Sequence, residues 1–173
     1  MFLELFVPDL YIRSFADLNL ADLKERGIRL LVIDVDNTLV PHDVAKPTEE
    51  ADAFLKSVLA SGIQPVVISN NHKPRVATLL EGYDIPFYYE AKKPLKLTYL
   101  KMMKDFKVKE NEVATMGDQL MTDVFGANRC RCYTILTQPL VKRDILYTYP
   151  NRMMEKVMFA ILKKKGLFDK GEL

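Results

Sequence analysis

Short, continuously apolar runs recur along this chain, and helix-like segments separate them. The runs cover 30–33, 65–68, 86–89, 113–116 and 133–136. A strand that is apolar on both sides is typical of a parallel sheet whose two faces are covered by helices. The segments between the runs, 48–60, 74–81, 95–106 and 120–128, have the lengths of the helices that join parallel strands through right-handed crossovers. The pattern therefore predicts an α/β fold with a mainly parallel sheet of about five strands.

The length and composition favour one compact domain. The chain has 173 residues, and its 49% of hydrophobic residues is enough apolar material for one core. We predict a single Rossmann-like, three-layer domain over 1–173, with a catalytic core over about 28–138. The segments 1–27 and 140–173 are expected to be appended to that core.

Both appended segments contain a helix signal. In the first, Asn19 and Gly27 are suited to cap the start and the end of a short helix. In the second, 151–166 has the pattern of an amphipathic helix with a basic last turn. We expect the second helix to pack on the edge of the sheet, and the alternative is a surface that meets a membrane or a partner.

Charge, hydropathy and cysteine content limit the cellular context. The net charge of +2 is too small to indicate a nucleic-acid surface, so no nucleic-acid partner is expected. No apolar run reaches the roughly 18 to 20 residues that a membrane span needs, and the acidic N-terminus does not resemble a signal peptide. Cys130 and Cys132 have no other cysteine with which to pair. We therefore expect a cytoplasmic protein.

Polar side chains follow four of the predicted strands, at the point where each strand ends. In chain order they are Asp34, Asp36 and Thr38, then Ser69 and Asn70, then Lys93, then Asp118 and Asp123. In open parallel sheets, ligands bind outside the carboxyl ends of the strands. A buried core does not need these groups there, so they indicate a binding or catalytic site.

The four aspartates of this set are expected to share one cavity. Like charges in such proximity are costly unless a cation compensates them. Carboxylate oxygens without a nearby histidine or cysteine favour a hard cation, with Mg²⁺ the first choice. Lys93 and the Ser69 hydroxyl then remain to bind an anion beside the metal, so the site is suited to a phosphate group.

Four segments of the chain, DVDNTL, ISNN, AKKP and GDQLMTDV, resemble the four motifs of the haloacid-dehalogenase-like phosphatases. They occur in the order of the family, each after a predicted strand, within about 30–136. The resemblance implies a phosphomonoester hydrolase that requires Mg²⁺ and forms an aspartyl-phosphate intermediate.

The resemblance also assigns roles to the residues that match the motifs. Asp34 would be the nucleophile, Asp36 the general acid and then the general base, and Lys93 the cation that offsets charge on the transferring group. Substrate contacts would come from Thr38, Ser69 and Asn70. The metal would be held by Asp34, Asp36 through its backbone carbonyl, Asp118 and, directly or in the outer shell, Asp123.

The spacing of the motifs leaves no room for a cap domain. The gaps 40–64 and 72–92 hold only one helix and a loop or strand each. The sequence therefore resembles the capless subclass IIIA, whose site is open unless a neighbouring subunit of a homo-oligomer covers it. An open site suits a phosphate on a large molecule or on a lipid headgroup.

A narrower resemblance concerns the stretch VPDLYIRSFADLNLADLKERGIRLLVIDVDNTLVP. It looks like the YqeG-type bacterial phosphatases, which are similar to phosphatidylglycerophosphate phosphatases. This implies a role in phospholipid synthesis, with peripheral contact at the inner face of the membrane through the 151–166 helix or through Phe2, Leu3, Leu5 and Phe6. The alternatives are a phosphatase of a soluble metabolite or of a protein-borne phosphate, and a weakly active phosphate-binding regulatory module.

Overall fold

The central element of the fold is a six-stranded, all-parallel sheet, seen in a computed structural model that describes residues 2–141 and 149–169. Its strands are β1 (Leu10–Ile12), β2 (Leu30–Ile33), β3 (Gln64–Ile68), β4 (Phe87–Tyr88), β5 (Val113–Gly117) and β6 (Tyr133–Thr137). The strand order is β1-β6-β5-β2-β3-β4, so β2 lies between β5 and β3 near the middle of the sheet. The predicted α/β class and parallel sheet are confirmed.

Within the described residues, six α-helices accompany the strands. They are α1 (Leu20–Glu25), α2 (Glu49–Ser61), α3 (Lys73–Leu79), α4 (Leu97–Phe106), α5 (Phe125–Asn128) and α6 (Tyr149–Lys164). Short 3-10 turns cover Phe2–Phe6, Phe15–Asp17 and Glu110–Glu112. The expected caps of α1 are present, because the Asn19 side chain accepts the N–H groups of Ala21 and Asp22, and Gly27 has a φ of +78°.

The two faces of the sheet are covered by different helices, which gives the three layers. Leu31 and Ile33 of β2 face a buried cluster formed with α1, α2 and α3. Leu30 and Val32 point the other way, into a cluster with α4 and α5. Because successive side chains of a strand alternate between faces, the four apolar residues of β2 are buried on both sides.

The N-terminal segment contributes a strand that the sequence analysis did not predict. β1 pairs in parallel with β6, with Leu10 opposite Ile135. The Asp9 carboxylate accepts the backbone N–H of Thr134 at 2.7 Å and its hydroxyl at 2.9 Å. This pairing covers what would otherwise be an exposed edge of β6. β1 is only three residues long, which is too short for a recognisable strand pattern in the sequence. Its extended conformation therefore depends on the pairing with β6.

The predicted helix over 120–128 consists of two elements. A π-helical turn covers Leu120–Val124 and α5 follows it directly. The carbonyl of Gln119 accepts the N–H groups of both Asp123 and Val124, at 3.0 and 3.3 Å, which widens the turn. The wider turn brings the Asp123 carboxylate back onto the N–H of Gln119 at 3.0 Å.

The predicted C-terminal amphipathic helix is α6, and it packs against the body of the domain. Leu162 is fully buried in a cluster with Phe6, Leu120, Val124 and Leu136. The parts of the predicted 140–173 segment at 142–148 and 170–173 lie outside the described residues. Within the described part of the chain, no helix combines the length and the hydropathy that crossing a membrane requires.

Candidate active site

The candidate site lies at the carboxyl ends of the middle strands of the sheet. Asp34 follows β2 directly, and its backbone N–H donates to the carbonyl of Met116 in β5 at 2.9 Å. The strand pairing therefore continues through Asp34 and fixes its position. The Asp34 side chain is only 11% exposed, and it points into a buried, polar cluster.

Three buried carboxylates meet in this cluster. Asp34, Asp118 and Asp123 each offer one oxygen, and these oxygens all lie within 4.8 Å of one another. A set of carboxylate oxygens with this spacing is suited to bind a hard divalent cation. The donor chemistry therefore fits the metal that the sequence predicts.

Lys93 supplies the positive charge of the cluster. Its ammonium group donates to Asp34 Oδ1 at 2.5 Å and to Asp123 Oδ1 at 2.6 Å, and its side chain is 4% exposed. Burial lowers the pKa of Lys93, but the carboxylates of Asp123 and Asp34 outweigh that effect and hold the pKa well above its ordinary value. Lys93 is therefore charged at neutral pH.

Asn70 positions Lys93 through the backbone. Its side-chain oxygen accepts the N–H of Lys93 at 2.7 Å, and its amide nitrogen donates to the carbonyl of Lys93 at 3.3 Å. Both polar ends of the Asn70 amide are thus used within the protein. The predicted contact of Asn70 with substrate stays a prediction.

Burial also controls the protonation of the carboxylates. It raises the pKa of Asp34 to about 8, although Lys93 acts in the opposite direction. It raises the pKa of Asp118 to about 7, against the effect of Arg152. A divalent cation beside these oxygens would favour the charged forms, as the predicted nucleophilic role of Asp34 requires.

Two predicted hydroxyl groups lie in the same cluster or beside it. The Thr38 hydroxyl is 3.3 Å from Asp34 Oδ2 and 3.3 Å from Asp118 Oδ1, and Thr38 is buried. The Ser69 hydroxyl accepts the N–H of Asn71 at 3.0 Å at the carboxyl end of β3. The structure thus brings together residues that follow β2, β3 and β5, and Lys93, which follows β4, also lies in the cluster.

The Asp36 side chain is not among the three carboxylates whose oxygens cluster, and the expectation that all four aspartates share one cavity stays a prediction. Arg75 of α3 donates from Nη2 and Nε to Asp36 Oδ1, at 2.9 and 3.2 Å. Asn71 donates to Asp36 Oδ2 at 3.2 Å. These contacts hold the carboxylate in a separate, partly exposed position. The predicted metal contact of the Asp36 carbonyl stays a prediction.

Sequence reasoning missed two arginines that bind site carboxylates. Arg75 lies 39 residues from Asp36, and Arg152 of α6 lies 34 residues from Asp118, whose carboxylate and carbonyl it contacts. No local spacing marks such pairs, because tertiary packing alone brings the two residues together. A basic residue within an amphipathic helix is ordinarily expected on the solvated face.

Sequence comparisons with known proteins show the family to which the chain belongs. Residues 3–142 match the family described as mitochondrial PGP phosphatase. The chain is 33% identical over 166 residues to the probable phosphatase YqeG of Bacillus subtilis (strain 168), and the alignment covers 96% of each chain. It is 27% identical over 180 residues to phosphatidylglycerophosphate phosphatase 1, chloroplastic/mitochondrial, of Arabidopsis thaliana, covering 95% of this chain and 50% of that protein.

A solved structure shows the same fold. The cobalt-bound form of the deoxy-D-mannose-octulosonate 8-phosphate phosphatase of Haemophilus influenzae is similar with a TM-score of 0.52 at 19% identity, over 84% of this chain and 95% of that one. At this identity the likeness concerns the fold alone. The family match and the bacterial relative decide the class: the chain belongs to the mitochondrial PGP phosphatase family and is a haloacid-dehalogenase-like, YqeG-type phosphatase.

Proposed function

We propose that this phosphatase hydrolyses a phosphomonoester by a Mg²⁺-dependent mechanism in which Asp34 is the nucleophile. The observation that carries the proposal is the placement of Asp34 at the end of a central strand, in contact with Lys93 and within a buried set of three carboxylates. The residues that would hold the cation are Asp34, Asp118 and Asp123, together with the Asp36 carbonyl. When bound, the cation stabilises negative charge on the transferring phosphoryl group.

The chain's own residues supply the remaining steps of the proposed reaction. An Asp34 oxygen forms a bond to phosphorus while the bond from phosphorus to the leaving oxygen breaks, and Asp36 gives that oxygen a proton. Asp36 then takes a proton from water, the water oxygen attacks phosphorus, and the Asp34–phosphorus bond breaks. Lys93 and the hydroxyls of Thr38 and Ser69 contact the phosphoryl oxygens.

An Asp34→Asn variant tests the mechanism. Asparagine keeps the size of the side chain but removes the nucleophilic carboxylate, so hydrolysis of para-nitrophenyl phosphate with Mg²⁺ should fall to background. Asp105→Asn, at a 39% exposed carboxylate paired with Lys101, is the matched control and should retain activity. EDTA should abolish wild-type turnover and added Mg²⁺ restore it. Normal turnover in Asp34→Asn, or turnover that EDTA does not affect, would contradict the mechanism.

For the substrate, we propose phosphatidylglycerophosphate. The support is the family match over residues 3–142 and the 27% identity to the Arabidopsis enzyme, of which the alignment covers 50%. Access to a lipid headgroup requires contact with the membrane surface, which we propose to be peripheral and at the cytoplasmic face.

The exposed apolar residues determine which surface could make that contact. Phe6 is buried and stacks on Phe125 with ring centroids 4.5 Å apart, so it is not available for a membrane and only Phe2 of that N-terminal set is well exposed. α6 exposes Met153, Met154 and Val157. Met153 and Met154 directly follow Arg152, which contacts Asp118, so these exposed residues are close in the chain to the candidate active site.

A second surface begins beside Lys93, and we call it the α4 surface. It consists of the exposed residues Leu95, Leu97 and Leu100 with Lys92, Lys96 and Lys101. Leu97, at the start of α4, is 74% exposed. Apolar side chains interspersed with lysines are suited to a bilayer with anionic headgroups. Because α4 starts at the carboxyl edge of the sheet, contact there would place the headgroup near the site.

Phosphate release from phosphatidylglycerophosphate in mixed micelles, compared with para-nitrophenyl phosphate, tests the substrate. Release from the lipid that Asp34→Asn abolishes supports the proposal. Slow turnover of para-nitrophenyl phosphate without release from the lipid would support the mechanism but favour a soluble or protein-borne phosphate as substrate. In that case a neighbouring subunit of a homo-oligomer would cover the site.

Flotation with anionic vesicles tests the membrane surface. Leu97→Glu should weaken vesicle binding, whereas Leu59→Glu, at a 41% exposed leucine on α2, should not. Absence of wild-type binding at low salt would remove the support for the α4 surface.

A further inference from the structure

The C-terminal helix reaches the candidate metal site through one side chain. Arg152, near the start of α6, donates from Nη1 to the carbonyl of Asp118 at 3.0 Å and from Nη2 to its carboxylate Oδ2. The same Nη1 donates to Glu155 Oε2 at 2.9 Å. The Arg152 side chain is 14% exposed, and the Asp118 side chain is fully buried. The family match ends at residue 142, so α6 lies beyond the matched region.

Glu155 anchors this contact to the turn that carries the site. It is 4% exposed, and its other carboxylate oxygen accepts the N–H of Leu120. Leu120 begins the turn that follows Asp118 and contains Asp123. Arg152 therefore lies between a carboxylate of the site and a carboxylate fixed to the adjacent backbone.

The charges of this network fit one divalent cation. Four carboxylates, those of Asp34, Asp118, Asp123 and Glu155, face two cations, Lys93 and Arg152. With all six groups ionised, the excess is two negative charges. Lys93 pairs with both Asp34 and Asp123, and Arg152 pairs with both Asp118 and Glu155, so each cation offsets the charge of only one of its two carboxylates.

We propose that Arg152 is a positioning residue that holds the Asp118 carboxylate in the orientation that binds the cation. This inference rests on the proposed Mg²⁺ dependence. Arg152 occupies Oδ2 of Asp118 and its carbonyl, which fixes the rotation of the side chain and leaves Oδ1 toward the cluster, where Thr38 lies 3.3 Å away. Groups that orient a metal ligand from outside commonly change metal affinity by about 10- to 100-fold when they are removed.

Two effects of removing Arg152 oppose each other. The loss of a positive charge reduces its repulsion of the cation. However, the loss also frees Asp118 to rotate and leaves Glu155 as a buried carboxylate without its cation, at the turn that holds Asp123. An unpaired buried charge is strongly unfavourable, so this turn should rearrange. We expect the second effect to dominate.

Titration of Mg²⁺ into EDTA-stripped protein, followed by calorimetry, measures the effect without using activity. Arg152→Met should weaken Mg²⁺ binding by about 10- to 100-fold. Arg152→Lys should lie between that variant and wild type, because one ammonium group cannot reach all three oxygens that the guanidinium contacts. Arg29→Met, at a 61% exposed arginine paired with Glu112, is the matched control and should bind as wild type does.

Thermal unfolding of the metal-free proteins separates positioning from a purely structural role. If Arg152→Met does not fold, Arg152→Lys and Glu155→Gln carry the test, and both should weaken Mg²⁺ binding while remaining folded. Binding as tight as wild type, or tighter, in any folded Arg152 variant overturns the inference and leaves the proposed function intact. Absence of Mg²⁺ binding in the wild type overturns both.

Discussion

Gly117, the last residue of β5, lies so close to Asp123 that no larger side chain fits. A Cβ atom at position 117 would lie 2.5 Å from the Cβ of Asp123, which is 0.9 Å short of the 3.4 Å at which ordinary contacts begin. The Asp123 carboxylate would meet it as well. Gly117→Ala therefore has to move the Asp123 side chain by roughly 1 Å, away from its present close contact with the backbone of residue 117.

The cost of this movement follows from the contacts of Asp123. The carboxylate is 2.6 Å from the Lys93 ammonium and 3.0 Å from the N–H of Gln119, and both distances would lengthen. Overpacking of a dense interior costs about 1–3 kcal/mol of stability. A displacement of about 1 Å in catalytic geometry can lower turnover by about 100-fold. We expect Gly117→Ala to lower both the stability and the turnover by these amounts.

A double-mutant cycle identifies the clash as the cause. The free energy of unfolding is measured for Gly117→Ala in the wild type and in an Asp123→Gly background, and the kcat for para-nitrophenyl phosphate is measured for Gly117→Ala in the wild type. Removing the whole side chain of residue 123 removes the atoms that the new methyl group meets, so the added cost of Gly117→Ala should largely disappear. Full activity and stability of Gly117→Ala in the wild type, or an equal loss in both backgrounds, would refute this reasoning.

Two further predictions concern charge. Because the folded-state pKa of Asp34 is about 8 against an ordinary 3.8, the folded protein retains a proton that the unfolded chain loses. The stability of the EDTA-treated protein should therefore fall from about pH 5 to about pH 8, and less in Asp34→Asn; thermal unfolding checks this, and a rise would contradict it. Arg75→Met removes the ion pair of Asp36, so it should lower stability by about 1.5–3 kcal/mol and reduce kcat by no more than the ~10²–10⁴-fold that acid–base catalysis supplies. Unchanged stability and kcat would show that the pair does not position Asp36.

The sequence alone determined the scaffold and the strand-end position of the site. Continuous apolar runs identify buried parallel strands because a strand with both faces covered cannot alternate with polar residues. The carboxyl ends of such strands meet at one edge, so Asp34 after β2 and Asp118 after β5 were predictable neighbours. Lys93 required the family resemblance, since Lys92 and Lys96 lie beside it in the chain.

Only the tertiary structure decided which charges pair. The rotation of α3 places Arg75 against Asp36 and separates this carboxylate from the other three. The docking of α6 brings Arg152 to Asp118. Leu10–Ile12 becomes a strand because it pairs with the edge of β6. These contacts join residues that are 34 to 125 positions apart in the chain; Asp9 and Thr134 lie at the upper end of this range. They depend on how whole elements pack, and local periodicity carries no information about contacts at such sequence separations.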